Sequence, residues 1–348
     1  MKFLKHMNGP LRLVVWIYDQ PLYHWIVSVP LAPLDTAFGF FYSVLNAIRP
    51  VRLWWKWQSR PEPHFPLPKT AHDVPVDPEA CDACGKYLGT MIATYADEKC
   101  LTDLLPKYLE LDPAEGQNGQ HPLILLFGYT QDLRRAWWPL PGMSYLEFVI
   151  GIPNVRMKDV DGYQGPFFYI PQLRLRRFYP TFLGWLVGYK KIWSRMSAGD
   201  ASYSIQTLLS GNQILDAQFT RMDSADAQVD LVDDNEELAH WQAFLNQPHL
   251  NPFGDETLFL HFHWDWKHTS IKPVDATLKL HQPIPGMAAG EYKYTGIKKG
   301  QWLSKSGVPP GAVRLCSPFE LLAPFSRDKL RRWRWKQKMK LAAPPPRR

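Results

Sequence analysis

The pattern of apolar and polar positions changes character near residue 79. Before it, Leu11 to Trp57 is apolar and aromatic but broken by Pro21, Pro30, Pro33 and Pro50. Proline at those intervals keeps any helix or strand short. Ala37 to Ile48 is the one helix predicted there, with Asp35 or Thr36 as its cap. Ser59 to Pro78 is proline-rich and reads as a linker.

Beyond residue 79, short apolar runs alternate with turn signals. Tyr87 to Tyr95, Tyr145 to Pro153, Pro166 to Leu173, Thr257 to Trp266 and Ile271 to His281 read as strands. Pro122 to Tyr129 is a continuous apolar run of buried-strand length. Asp97 to Leu105 predicts a short helix, with Asp97 at its cap and Pro106 behind its end. Tyr203 to Leu209 and Gln213 to Met222 predict a hairpin around Ser210-Gly211-Asn212. Thr181 to Tyr189 fits either a strand or a helix. Glu236 to Leu245 and Phe319 to Trp335 read as helices. Many strands and few helices predict an α+β domain built on a mostly antiparallel sheet or barrel. The expected organisation is an aromatic, proline-rich arm and linker over 1–78, one domain over 79–328, and a basic tail over 329–348.

Composition narrows the class. Hydrophobic residues make up 45% and charged residues 21%, which excludes a disordered chain. The 32 prolines disfavour an all-helical fold. The net charge of +7 is uneven: Lys329 to Arg348 has no acid, whereas Asp223 to Glu237 is acidic. Arg331-Arg332-Trp333-Arg334-Trp335-Lys336 and Val51 to Trp57 mix basic residues with tryptophan, a composition suited to an anionic membrane surface. Peripheral membrane contact is one reading of the arm and tail; the others are an arm packed on the main domain or a neighbouring subunit and a plain solubilising tail, and no nucleic-acid fold is read. The four cysteines include one CxxC, Cys81 and Cys84, without the second pair that a zinc ribbon needs. So few cysteines suggest a reducing compartment, and a cytoplasmic location is expected. No cleavable secretory signal is read at the N-terminus, and no run of 18 apolar residues predicts a spanning helix.

Two stretches offer chemistry. Lys190-Lys191 follows the apolar run Phe182 to Tyr189. Adjacent ammonium groups and apolar surroundings both pull a lysine pKa down, and a neutral lysine adds to carbonyl groups. The competing reading is a pair of solvated charges past the end of an element. His261, His263 and Asp265 share one face of a predicted strand, an arrangement seen in metal sites. One short strand gives few converging ligands, so a polar strand face is the favoured reading and no metal is assigned. No P-loop, GxGxxG or GxSxG motif is present, and no cofactor is expected.

Three segments, in order, resemble the acetoacetate decarboxylase family over about residues 87–328. They are Tyr95-Ala96-Asp97 leading to Leu104-Leu105-Pro106-Lys107-Tyr108-Leu109-Glu110-Leu111; Tyr145-Leu146-Glu147 followed by Ile152-Pro153; and Gly188-Tyr189-Lys190-Lys191. The resemblance implies an acetoacetate decarboxylase-like fold, a homo-oligomer, and a Schiff-base lyase acting on a keto acid or related carbonyl compound. Lys190 would be the nucleophile, Lys191 the neighbour that depresses its pKa, and Glu147 the site carboxylate. Tyr145, Phe127 and Tyr189 would line the substrate. Departures accompany the likeness. Tyr189 stands where the family has proline, Leu183-Gly184-Trp185-Leu186 replaces a charged run, and an expected glutamate falls near Phe127. An arginine expected ahead of the first strand has no match. These apolar replacements suggest a larger or less charged carbonyl compound. They also favour an alternative, a non-catalytic relative that binds an apolar carbonyl or lipid-like ligand.

Overall fold

The computed structural model describes residues 81–113, 116, 118–135, 142–158, 165–186, 191–221, 230–253, 256–298 and 310–326. Strands take up most of the apolar runs. In chain order the elements are β1 (Cys81–Asp97), α1 (Glu98–Thr102), β2 (Leu109–Leu111), β3 (Gln120–Arg135), β4 (Met143–Met157), β5 (Phe167–Leu175), α2 (Phe178–Leu186), β6 (Lys191–Ala198), β7 (Ser202–Thr207), β8 (Gln213–Arg221), α3 (Asn235–Leu245), β9 (His249–Phe253), β10 (Glu256–Trp264), β11 (Ser270–Leu280), β12 (Gly290–Tyr294) and β13 (Gly311–Ser326). The fold is mostly strand with few helices, as the pattern predicts.

The strands join in a 13-stranded sheet. Its centre is a wall of β13, β1, β3, β4 and β5, antiparallel throughout. The wall forks at both ends. On β5, Phe168 and Tyr169 pair with β9, while Leu173 to Leu175 pair with β6. On β13, Val313 to Cys316 pair with β11, and the stretch from Phe319 onward pairs with β10. One branch runs β6–β7–β8–β11 and the other β9–β10. Each branch links the two ends, so the hydrogen bonding closes into two rings that share the wall. Closure removes strand edges that would otherwise need cover.

Alternation along the wall strands sends neighbouring residues into different rings. Ile92, Leu125, Phe127, Phe148 and Ile150 face the larger ring, with Tyr203, Leu215, Phe219 and Leu278 in the same core. Tyr87, Met91, Ile124 and Val149 face the smaller ring, packed with Trp241 and Phe244 of α3 and with Trp264 and Phe319.

Local signals explain several boundaries. Asp97 caps α1 by accepting from the Cys100 amide at 2.9 Å. The β7–β8 turn places Gly211 at φ +69°, a conformation that favours glycine. The ambiguous stretch at Thr181 resolves as helix α2. The helix predicted over Phe319 to Trp335 is corrected: up to Ser326 the chain is strand β13. There it pairs with β1 and β10 at once, and two ladders override the local pattern. The predicted helix at Ala37 to Ile48, the Val51 to Trp57 segment and the Arg331 to Lys336 segment lie outside the described residues. No helix among the described residues is long and apolar enough to cross a membrane.

Candidate active site

Lys191 is the first residue of β6 and pairs with Leu173 of β5. Its ammonium donates to the Pro180 carbonyl of α2 at 3.2 Å. Glu147 lies mid-strand in β4, between Leu146 and Phe148. Those two neighbours point into the larger ring, so alternation turns Glu147 the other way. Across the ladders Glu147 is opposite Gly128 of β3 and Leu175 of β5.

Both side chains are partly buried, and each charged end is engaged by the wall or by α2, Glu147 by Thr130 and Lys191 by Pro180. Burial pushes the Glu147 carboxyl up to about 7, against the Thr130 hydroxyl and the Lys191 charge, which lower it. Burial pulls the Lys191 amine down to about 8, against the Glu147 charge, which raises it. In each case the loss of hydration outweighs the opposite charge. The Thr130 hydroxyl donates to Glu147 Oε1 at 3.1 Å.

Three buried tyrosines surround this pair. Tyr145 is two residues before Glu147 on the same face of β4 and is opposite Thr130. Tyr87 of β1 is opposite Thr130 on the other side. Tyr203 reaches the wall from the larger ring, where its hydroxyl donates to the Glu147 backbone carbonyl at 2.9 Å. Burial, and then the Glu147 charge, raise all three phenols well above their ordinary range. The shift favours the neutral hydroxyl form of each. The Arg176 guanidinium reaches Tyr203 electrostatically.

Of the residues predicted from the sequence, Lys191, Glu147 and Tyr145 come together here. Phe127 does not join them. It is opposite Phe148 in the ladder and packs in the larger ring, with ring centroids 5.0 Å from Phe148 and 5.5 Å from Tyr203. Gly128 takes the place beside Glu147 instead. Tyr189 and Lys190 lie outside the described residues. Thr130, Tyr87 and Tyr203 were not anticipated, because strand register, not local pattern, brings them to Glu147.

The histidine strand is buried on both faces. His261 and His263 are nearly inaccessible, and Phe262 and Trp264 stack on the other side. His263 Nδ1 lies 3.6 Å from Glu320 Oε2, and His261 Nε2 lies 3.1 Å from the Asn246 carbonyl. Asp265 turns to His268. Among the described residues no group of three or more His, Cys, Asp or Glu is placed to hold a metal ion.

No family model matches the chain, and no curated protein matches it. Solved structures are similar to it. A structure from structural studies of acetoacetate decarboxylase has 11% identity and a TM-score of 0.45, covering 70% of this chain and 88% of that one. Acetoacetate decarboxylase from Legionella pneumophila subsp. pneumophila str. Philadelphia 1 has 14% identity and a TM-score of 0.41, covering 76% and 94%. The enduracididine biosynthesis enzyme MppR complexed with pyruvate has 13% identity and a TM-score of 0.43, covering 77% and 98%. The first two bear the family name that the sequence motifs resemble.

Proposed function

We propose that this chain captures a carbonyl compound as a Schiff base on Lys191 and acts as a lyase on a keto acid or a related, larger apolar carbonyl compound. The supporting observation is the partly buried, electrostatically linked Lys191 and Glu147, with the amine pulled down to about 8 and the carboxyl pushed up to about 7. An amine of that pKa is neutral in roughly one molecule in ten at pH 7, far more than an ordinary lysine. The pair holds one proton between the two limbs, mostly as ammonium and carboxylate, with the neutral amine and protonated carboxyl as a minor form in about one such molecule in ten.

The steps balance on that one proton. The neutral amine adds to the carbonyl carbon, and the C=O π pair moves to oxygen. Glu147 gives its proton, the nitrogen gives one of its own, and the oxygen leaves as water. The products are an iminium cation, water and the Glu147 carboxylate. The iminium is an electron sink: a substrate carboxylate leaves as CO2, and its bonding pair moves toward nitrogen to give an enamine. A proton then returns to carbon, and water releases the product. The family resemblance assigns the nucleophile to Lys190. The partly buried amine of Lys191 favours the next residue, with Lys190 supplying the neighbouring charge.

Borohydride trapping with a panel of keto acids and longer ketones, read by intact mass and peptide mapping, tests this. The expected result is a stable adduct on Lys191, lost in Lys191→Ala and kept in Lys190→Ala. An adduct on Lys190 would exchange the two roles. No adduct on folded wild-type protein would overturn the enzyme reading in favour of a non-catalytic module that binds an apolar carbonyl or lipid-like ligand.

A further inference from the structure

Tyr87 is the one tyrosine of the three whose hydroxyl has no protein hydrogen-bond partner. The Tyr203 hydroxyl is held by the Glu147 carbonyl, and the Tyr145 hydroxyl is in hydrogen-bonding contact with Thr130. Tyr87 is only 5% exposed. A buried hydroxyl without a partner disfavours the folded state, and native structures keep few of them.

The fold nevertheless builds a seat for this group. Gly89 of β1 and Gly128 of β3 are opposite each other, and the Tyr87 ring lies across both. A Cβ at Gly89 would stand 2.8 Å from the ring, and one at Gly128 would overlap the hydroxyl itself. The indole of Trp264 meets the ring edge-on at 6.0 Å. Glycine in a strand interior weakens the strand and marks a close approach. Here the approach is that of a phenol laid along the sheet. Gly128 is opposite Glu147 in the next ladder, so the hydroxyl is delivered toward the Lys191–Glu147 pair. Burial and the Glu147 charge keep the phenol protonated, and hence a donor.

We propose that the Tyr87 hydroxyl donates a hydrogen bond to the carbonyl oxygen of the bound compound while Lys191 attacks its carbon. This role rests on the Schiff-base reading above. As the C–N bond forms, the π pair moves onto oxygen, and the Tyr87 O–H stabilises that developing charge without transferring its proton. Glu147 supplies the proton with which the oxygen departs.

The test compares wild type with Tyr87→Phe in a time course of borohydride-quenched adduct formation. Two probes of equal chain length are used, 2-hexanone and 2-oxohexanoate. The expected result is adduct formation slowed about a hundredfold with both. The Lys191 pKa, read from the pH dependence of acetylation by acetic anhydride, stays at its wild-type value, and Tm is not lowered. Gly128→Ala, which displaces the hydroxyl and leaves Thr130, Glu147 and Lys191 in place, slows adduct formation likewise. Wild-type rates in folded Tyr87→Phe, from a protein whose wild type is trapped, would overturn the Tyr87 role alone. A wild type trapped by neither probe would overturn it together with the Schiff-base reading.

Discussion

Phe127 and Gly128 are neighbours in β3, as Glu147 and Phe148 are in β4, yet each pair is divided between two environments. On the larger-ring face, Phe127, Phe148, Tyr203 and Phe219 interlock as aromatic core. On the smaller-ring face the same strands present Gly128, Thr130, Tyr145 and Glu147, with Tyr87 and Lys191 alongside. One wall thus carries aromatic core on one side and, set within the second core of the smaller ring, an ionisable site on the other. The period of two makes this possible, because adjacent residues never share a face. Stability gathered on the aromatic face supports desolvated groups that destabilise the opposite one.

The largest expected effect comes from breaking the core face. Phe148 is fully buried. Phe148→Ala should destabilise the protein by about 3–5 kcal/mol, since both transfer energy and a cavity are lost. Urea unfolding measures it. Lys191 remains trappable below the unfolding transition, because the substitution faces the other ring. A cost under about 1 kcal/mol would show that the larger ring does not support the wall as described.

The pH dependence sharpens the other side. The folded pKa of Glu147 is raised from 4.5 to about 7, so its stabilising contribution is present below 4.5 and is lost as pH rises through 7. The folded pKa of Lys191 is depressed from 10.5 to about 8, so its contribution is present above 10.5 and is lost as pH falls through 8. The pair therefore destabilises the fold most between about 7 and 8. Unfolding free energy should fall by on the order of 2–3 kcal/mol between pH 4.5 and 7 on account of Glu147 alone. Glu147→Gln should flatten that slope. An unchanged slope would assign it to other groups.

The sequence was legible where chemistry and local pattern coincide. The strand runs, the Asp97 cap and the turn at Gly211 follow from residues close in the chain. Lys190-Lys191 stood out because adjacent lysines at the end of an apolar run are conspicuous, whereas Glu147 was named only through the family resemblance. Phe127 was misplaced beside the site because one position along a strand decides the face, and register depends on ladders 15 to 20 residues apart, such as Gly128 with Glu147. Thr130 and Tyr87 have ordinary strand surroundings, and only the β1–β3–β4 register brings them to the carboxylate. The end of β13 from Phe319 to Ser326 was read as helix because its apolar run fits both periods until its two partners are known.

The smallest effect is the most discriminating for Glu147. The Thr130 hydroxyl stabilises the ionised carboxylate, so it holds the Glu147 pKa below the value that burial alone would give. Thr130→Val keeps the shape and removes the donor. The carboxyl pKa should then rise by about one unit, the worth of one hydrogen bond to a charged group. Adduct formation requires the pair to hold a single proton, so its pH profile is a bell with limbs near 7 and 8. The acid limb should move toward the alkaline one, and the maximum should rise, because the form with a neutral amine and a protonated carboxyl becomes a larger share of the one-proton state. Thr130→Ser restores the donor and should return the acid limb to its wild-type position. If the acid limb stays fixed in Thr130→Val, it belongs to a group other than Glu147, and the proton for the departing water comes from elsewhere on this face.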